Sequence, residues 1–172
     1  MNHMSYIDGT GTVVWEIDTA IVDPILKVDG NYILIAEKGR NKICLYIDNK
    51  LQYDVDDPDT VMSAELSSNG DVVVVTDKSS YRGGISVYNK SGEQIFSWAS
   101  GSDAVICADI SAASRSVAVA LLNSDVTAKT TVQLFNVNET ESYAKIEMPD
   151  TVVYELQFVG DKVNAFGDNR VT

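Results

Sequence analysis

Asp59-Thr60-Val61-Met62-Ser63-Ala64-Glu65-Leu66-Ser67-Ser68-Asn69-Gly70-Asp71-Val72-Val73-Val74-Val75 reads as a strand, a tight turn and a second strand. Asn-Gly tolerates the positive φ that a hairpin requires, and a run of β-branched valines favours extended chain. The opening landmark then returns twice. Asp103-Ala104-Val105-Ile106 follows 44 residues after Asp59, and Asp150-Thr151-Val152-Val153 a further 47 residues on. Each leads to another turn and another apolar run: Ala113-Ser114-Arg115-Ser116 before Val117, and Val159-Gly160-Asp161-Lys162 before Val163. A second landmark, a turn followed by an aromatic residue, runs in phase. It gives Gly11 then Trp15, Asn49 then Tyr53, Gly92 then Phe96, and Tyr143 after Asn138-Glu139-Thr140. No stretch places apolar residues at the i, i+3, i+4, i+7 spacing of an amphipathic helix.

A repeat of about 40–45 residues holding four strands is the signature of a propeller blade. The expected fold is therefore all-β: a β-propeller of four-stranded antiparallel blades, about three of them complete, with partial blades at both ends. With strands lettered A to D from the axis outward, Thr12–Asp18 is a lone D strand. Blade one is Ile25–Val28, Tyr32–Glu37, Lys42–Ile47 and Leu51–Val55. Blade two is Val61–Leu66, Asp71–Asp77, Gly84–Tyr88 and Gln94–Ala99. Blade three is Val105–Ile110, Ser116–Leu122, Thr130–Asn136 and Ser142–Met148, and Val152–Phe158 with Lys162–Gly167 are A and B of a fourth. Residues 1–5 (Met1-Asn2-His3-Met4-Ser5) read as a cloning leader outside the fold, and 6–172 as a single partial propeller domain, a piece of a larger one. Half-built blades leave strand edges and apolar flanks open, which predicts a homo-oligomer, most simply a dimer.

Composition narrows the function. The 172 residues carry 13 Lys and Arg against 25 Asp and Glu, a formal charge of −12. That balance disfavours nucleic acid and anionic membrane surfaces, both of which select clustered cations. No run approaches the roughly 20 apolar residues of a membrane span, and no secretory h-region is present. Cys44 and Cys107 lie inside apolar strand-like runs and read as buried thiols acting as small hydrophobes.

Ser67-Ser68-Asn69-Gly70-Asp71-Val72-Val73-Val74 resembles the strand–turn–strand of WD40-like bacterial propellers. Asp8-Gly9-Thr10-Gly11-Thr12-Val13-Val14-Trp15 and Asn89-Lys90-Ser91-Gly92-Glu93-Gln94-Ile95-Phe96-Ser97-Trp98 resemble the Thr-Gly-x-x-x-Trp corner of quinoprotein-type (PQQ-like) repeats. The Gly-His and Trp-Asp pairs of eukaryotic WD40 repeats are absent. The resemblance, which spans Gly9–Gly167, implies a bacterial propeller of uncharacterised family. Such families resemble extracellular parts of single-span membrane proteins, implying an extracellular or cell-surface location, with the cytoplasm as the alternative.

Chemistry-bearing residues are few. The single histidine, His3, falls in the leader, so a nucleophilic triad has no base. Trp15 and Trp98 sit on outer strands and read as packing between blades, not as a quinone stack. No phosphate-cradling glycine motif precedes a helix, so no cofactor and no enzymatic activity are expected. Asp54, Asp56 and Glu65 stand at positions 1, 3 and 12 of a calcium loop. Asp59 there replaces the required glycine and Pro58 a ligand, so the stretch reads as a solvated acidic connection, with no metal. The recurring Asp59, Asp103 and Asp150 read as turn residues accepting backbone N–H bonds two positions on.

Antiparallel blades put D-to-A and B-to-C connections on one face, and these read as the longer ones. Long loops on a rigid scaffold are where binding concentrates. The expected ligand-binding face carries Lys78, Tyr81, Arg82, Asp103 and Asp125. The expected function is a non-catalytic binding or scaffolding module for a protein, peptide or glycan. A fragment of a propeller enzyme, with its catalytic residues elsewhere, is the alternative.

Overall fold

The structure is a computed structural model describing residues 2–125 and 127–172, and its regular elements are all antiparallel strands. Blade one is β3 (Pro24–Asp29), β4 (Tyr32–Glu37), β5 (Lys42–Ile47) and β6 (Lys50–Asp56). Blade two is β7 (Thr60–Leu66), β8 (Val72–Asp77), β9 (Gly84–Tyr88) and β10 (Gln94–Ala99). Blade three is β11 (Ala104–Ile110), β12 (Ser116–Asn123), β13 (Lys129–Asn136) and β14 (Ser142–Pro149). Each forms one four-stranded meander in chain order, as the repeat predicts. Two two-stranded sheets flank them, β1 (Asn2–Ile7) with β2 (Val13–Thr19), and β15 (Val153–Val159) with β16 (Lys162–Gly167).

The second strand of each blade is apolar on both sides because a blade is sandwiched between two others. In β8, Val72 and Val74 pack with Leu34, Leu45 and Tyr53 of blade one. Val73 and Val75 turn the other way, onto Val117, Val119 and Phe135 of blade three. All four valines are buried, each contributing about 1.5–3 kcal/mol. The turn before them needs its glycine twice over. Gly70 has φ 85°, and a Cβ there would stand 2.6 Å from Cε1 of Tyr32.

The amino-terminal residues correct the sequence reading. Met1 lies outside the described residues, but Asn2–Ser5 are no appendage to the fold. They open β1, which pairs with β2 from Asn2 opposite Thr19 to Tyr6 opposite Trp15. Met4 packs with Trp15 and Ile17 against Ile33 and Ile35 of blade one, so apolar contact holds the segment in place. The strand order then makes β1 and β2 the C and D strands of a blade, where the sequence reading had D alone. At the other end Val171 bridges Phe166, and Ala165 and Thr172 exchange backbone hydrogen bonds of 2.7 and 3.0 Å. The final residues therefore cover part of the β16 edge.

The tryptophans pack between blades as expected, and Cys44 is buried, whereas Cys107 is only half-buried. Cys44 and Cys107 are free thiols, and burial pushes the first up to about 11 and the second up to about 12. Both are thereby kept as unreactive thiols at neutral pH. Trp15 meets Tyr46 edge-on with ring centroids 5.1 Å apart, and Trp98 lies 5.0 Å from Phe135, each contact joining adjacent blades.

Candidate functional site

The B–C connection of blade two, between β8 and β9, is pinned along its length. Tyr81 N–H donates to the Lys78 carbonyl (3.0 Å) and Arg82 N–H to the Ser100 carbonyl (2.8 Å). Ser100 N–H returns a bond to the Gly83 carbonyl (3.0 Å), and Val105 N–H donates to the Arg82 carbonyl (3.1 Å). The loop is thus welded to the connection entering blade three. From there the network continues sideways. Asp103 N–H donates to Ser100 Oγ, Asn123 Nδ2 donates to Asp103 Oδ1 at 2.8 Å, and Asp125 N–H donates to Asn123 Oδ1. At the other end Lys78 Nζ lies 3.3 Å from Asp59 Oδ2.

Three of the five expected face residues, Arg82, Asp103 and Asp125, therefore belong to one bonded network, while Lys78 and Tyr81 form a separate turn beside it, with half of the Tyr81 surface exposed. The Arg82 side chain is exposed and forms no hydrogen bond or ion pair with the described residues. The expected difference in loop length between the two faces is small. Residues 78–83 make the longest connection on this face, while turns such as 67–71 and 89–93 opposite are nearly as long.

A larger concavity lies at the other end of the inner strands, and the sequence reading did not single it out. This half-open concavity of about 590 Å³ is lined by the A strands and their A–B turns, with Lys27, Glu65, Asp109 and Gln157 among the lining side chains. Along β7, β11 and β15 these polar residues alternate with apolar ones that pack on the preceding blade, as Ala64 and Leu66 flank Glu65. Comparing inner strands across the repeat would have revealed them. Lys27 Nζ is 2.7 Å from Glu65 Oε1, and Asp109 Oδ2 accepts the Phe158 N–H at 2.6 Å. Burial pushes the Asp109 carboxyl up to about 6, against the pull of the Phe158 and Ile110 N–H donors.

The calcium-loop residues do not converge. Asp54 and Asp56, on an outer strand, both meet Lys42 Nζ, at 2.7 and 3.1 Å. Glu65 sits on an inner strand and pairs with Lys27. Among the described residues no cluster of three candidate ligands exists. The recurring aspartates also differ from expectation. It is Asp57 whose carboxylate accepts the N–H two residues on, from Asp59. Asp59 itself turns to Lys78 and Asp103 to Asn123. His3 lies beside Asp18, with Nδ1 3.0 Å from Oδ1, and Glu16, which raise its pKa.

Over residues 1–172 the sequence matches a family of unknown function, DUF5711. The chain belongs to that family. No curated protein matches its sequence. Among solved structures it is similar to the computationally designed Ika8 protein (TM-score 0.68, 16% identity), over 95% of this chain and 49% of that one. It is similar to KlAtg21, solved with the coiled coil of AgAtg16, with TM-score 0.71 and 15% identity over 96% and 56% of the two chains. BamB from Moraxella catarrhalis gives TM-score 0.61 and 14% identity over 91% of this chain and 47% of that one. The chain spans about half the length of each. The DUF5711 chain is thus a WD40-like and PQQ-like β-propeller segment in fold.

Proposed function

We propose that this DUF5711 chain is a non-catalytic binding module that docks a protein, peptide or glycan on the face built by the B–C and D–A connections. Tyr81 and Arg82 are its leading contacts, with Lys78, Asp103 and Asp125 framing them. The observation that carries this reading is an exposed aromatic and an exposed guanidinium on a loop fixed by backbone bonds to the next blade. Tyr and Arg dominate binding energy at interfaces, and a loop already ordered loses little entropy on docking. KlAtg21, a propeller of similar shape, was solved with a coiled-coil partner, which supports a docking use of the scaffold.

Peptide and glycan arrays probed with the wild-type chain and with Tyr81→Ala/Arg82→Ala test this. A ligand that binds the wild type and is weakened about tenfold or more in the double variant, with melting temperature unchanged, supports the reading. Equal binding by both proteins places the site elsewhere. Turnover of hydrolase or dye-linked dehydrogenase substrates by the purified chain would replace the reading with an enzymatic one.

A further inference from the structure

We propose that two copies of this chain join head to tail, β1 of each pairing with β16 of the other, so that two half-rings close into one ring of eight blades. The amino-terminal sheet holds the C and D strands of a blade and the carboxy-terminal sheet holds A and B. Neither includes the central B–C ladder that every complete blade has, as between β4 and β5. Put together they make one blade of the same pattern. Within one chain β1 and β16 share no sheet, and the chain covers 49% of the designed Ika8 chain. A second copy supplies the missing half.

The blade-to-blade interfaces already present show what the joint requires. Each inner strand turns a polar residue toward the next blade (Lys27, Glu65, Asp109) and meets an apolar face there. That face is Ala64 and Leu66 on β7, Ala108 and Ile110 on β11, Leu156 and Phe158 on β15. Gln157 continues the polar series on β15, the last inner strand among the described residues. The corresponding apolar face of β3, Leu26 and Val28, is 52% and 49% exposed, whereas Ala64, Ala108, Ile110 and Leu156 are all buried. The open end of one chain thus carries the polar half of this repeated contact, and the open end of the other carries its apolar half.

Side-chain direction restricts the register to alternate positions. Val163 and Ala165 face blade three, whereas Met4 faces blade one, so these two sets must stand on opposite sides of the joint sheet. Phe166 opposite Met4, with Ala165 opposite Ser5 and Asn164 opposite Tyr6, satisfies that demand. A one-residue slip reverses it. The edge is competent for such pairing, since Val171 and Thr172 already hold Phe166 and Ala165 in antiparallel geometry. β1, six residues long, displaces those two residues and extends the ladder.

Light scattering coupled to gel filtration at micromolar concentration tests the closure. The expected mass is twice the 18.7 kDa of one chain. Val28→Asp, at a position exposed in the single chain, is expected to give a folded species of half that mass. Mixing a Tyr6→Cys protein with an Asn164→Cys protein under mild oxidation is expected to give a covalent heterodimer, which Ser5→Cys in place of Tyr6→Cys forms poorly. A monodisperse wild-type monomer overturns the proposal. So does a mass that keeps rising with concentration, because a head-to-tail joint that fails to close builds filaments.

Discussion

Tyr88 donates its hydroxyl to Oδ2 of Asp57 at 2.7 Å, joining the third strand of blade two to the connection that leads into that blade. Asp57 is 1% exposed, and its other carboxylate oxygen accepts the Asp59 N–H. A buried carboxylate is tolerated only where its lone pairs are filled. Tyr88→Phe strips one donor without altering shape, and hydrogen bonds to charged groups contribute about 1.5–3 kcal/mol. Chemical denaturation should show a loss of about 2 kcal/mol for Tyr88→Phe and a smaller one for Asp57→Asn. An unchanged midpoint for Tyr88→Phe would mean water reaches the carboxylate.

Asp109 makes stability depend on acidity. Its carboxyl titrates near 6 in the folded chain against an ordinary value of 3.8, because burial disfavours the charged form. A raised carboxyl adds stability that is full below its unfolded value and is lost as pH rises through its folded one. The window is therefore roughly pH 4 to 6. Across it the wild type should lose on the order of 1–2 kcal/mol relative to Asp109→Asn, after discounting for partial solvent contact. Parallel pH profiles for the two proteins would exclude Asp109 as the source.

Gly70 should resist substitution more than Gly30, although both adopt positive φ. A Cβ on Gly30 meets nothing within 4 Å, whereas one on Gly70 strikes the Tyr32 ring. Gly30→Ala thus reports the cost of the left-handed backbone alone, about 1 kcal/mol. Gly70→Ala should cost at least 1 kcal/mol more as the ring is pushed aside, about the size of an overpacking penalty. Equal midpoints in urea would show that Tyr32 yields freely.

Calcium should leave the melting temperature unmoved. Lys42 holds Asp54 and Asp56, while Glu65 is engaged by Lys27 on a different strand. A cation binding only the folded chain at a hundred times its dissociation constant would add about 2.7 kcal/mol. A scan in millimolar calcium against one with chelator should differ by less than about 1 °C, since no such linkage operates. A rise of several degrees would reveal a site formed by other groups.

The architecture was legible because it repeats. Asp59, Asp103 and Asp150 mark equivalent strand entries, and a pattern seen three times is insensitive to error in any one copy. β1 escaped detection for the opposite reason. Its alternation of Met4 and Tyr6 has no counterpart landmark, and only its pairing with β2 reveals it as a strand. The calcium-loop spacing of Asp54, Asp56 and Glu65 carries no shared geometry because closeness in sequence across a D–A connection is distance in space. Asp54 lies on the outermost strand of one blade and Glu65 on the innermost strand of the next. The inner-strand cavity was overlooked because Lys27, Glu65, Asp109 and Gln157 look like routine alternation singly. Their shared direction appears only once the blades are set side by side.

The two tryptophans stand at different joints, Trp15 against Tyr46 at the first and Trp98 against Phe135 at that between blades two and three. Each indole ring is therefore a private optical probe of one seam. A chain whose units touch only their neighbours is not obliged to come apart all at once. With Trp98 replaced by phenylalanine, the emission that remains would follow the amino-terminal seam alone, and with Trp15 replaced, the central one. The order in which the arc unzips can be watched, seam by seam, with no label added.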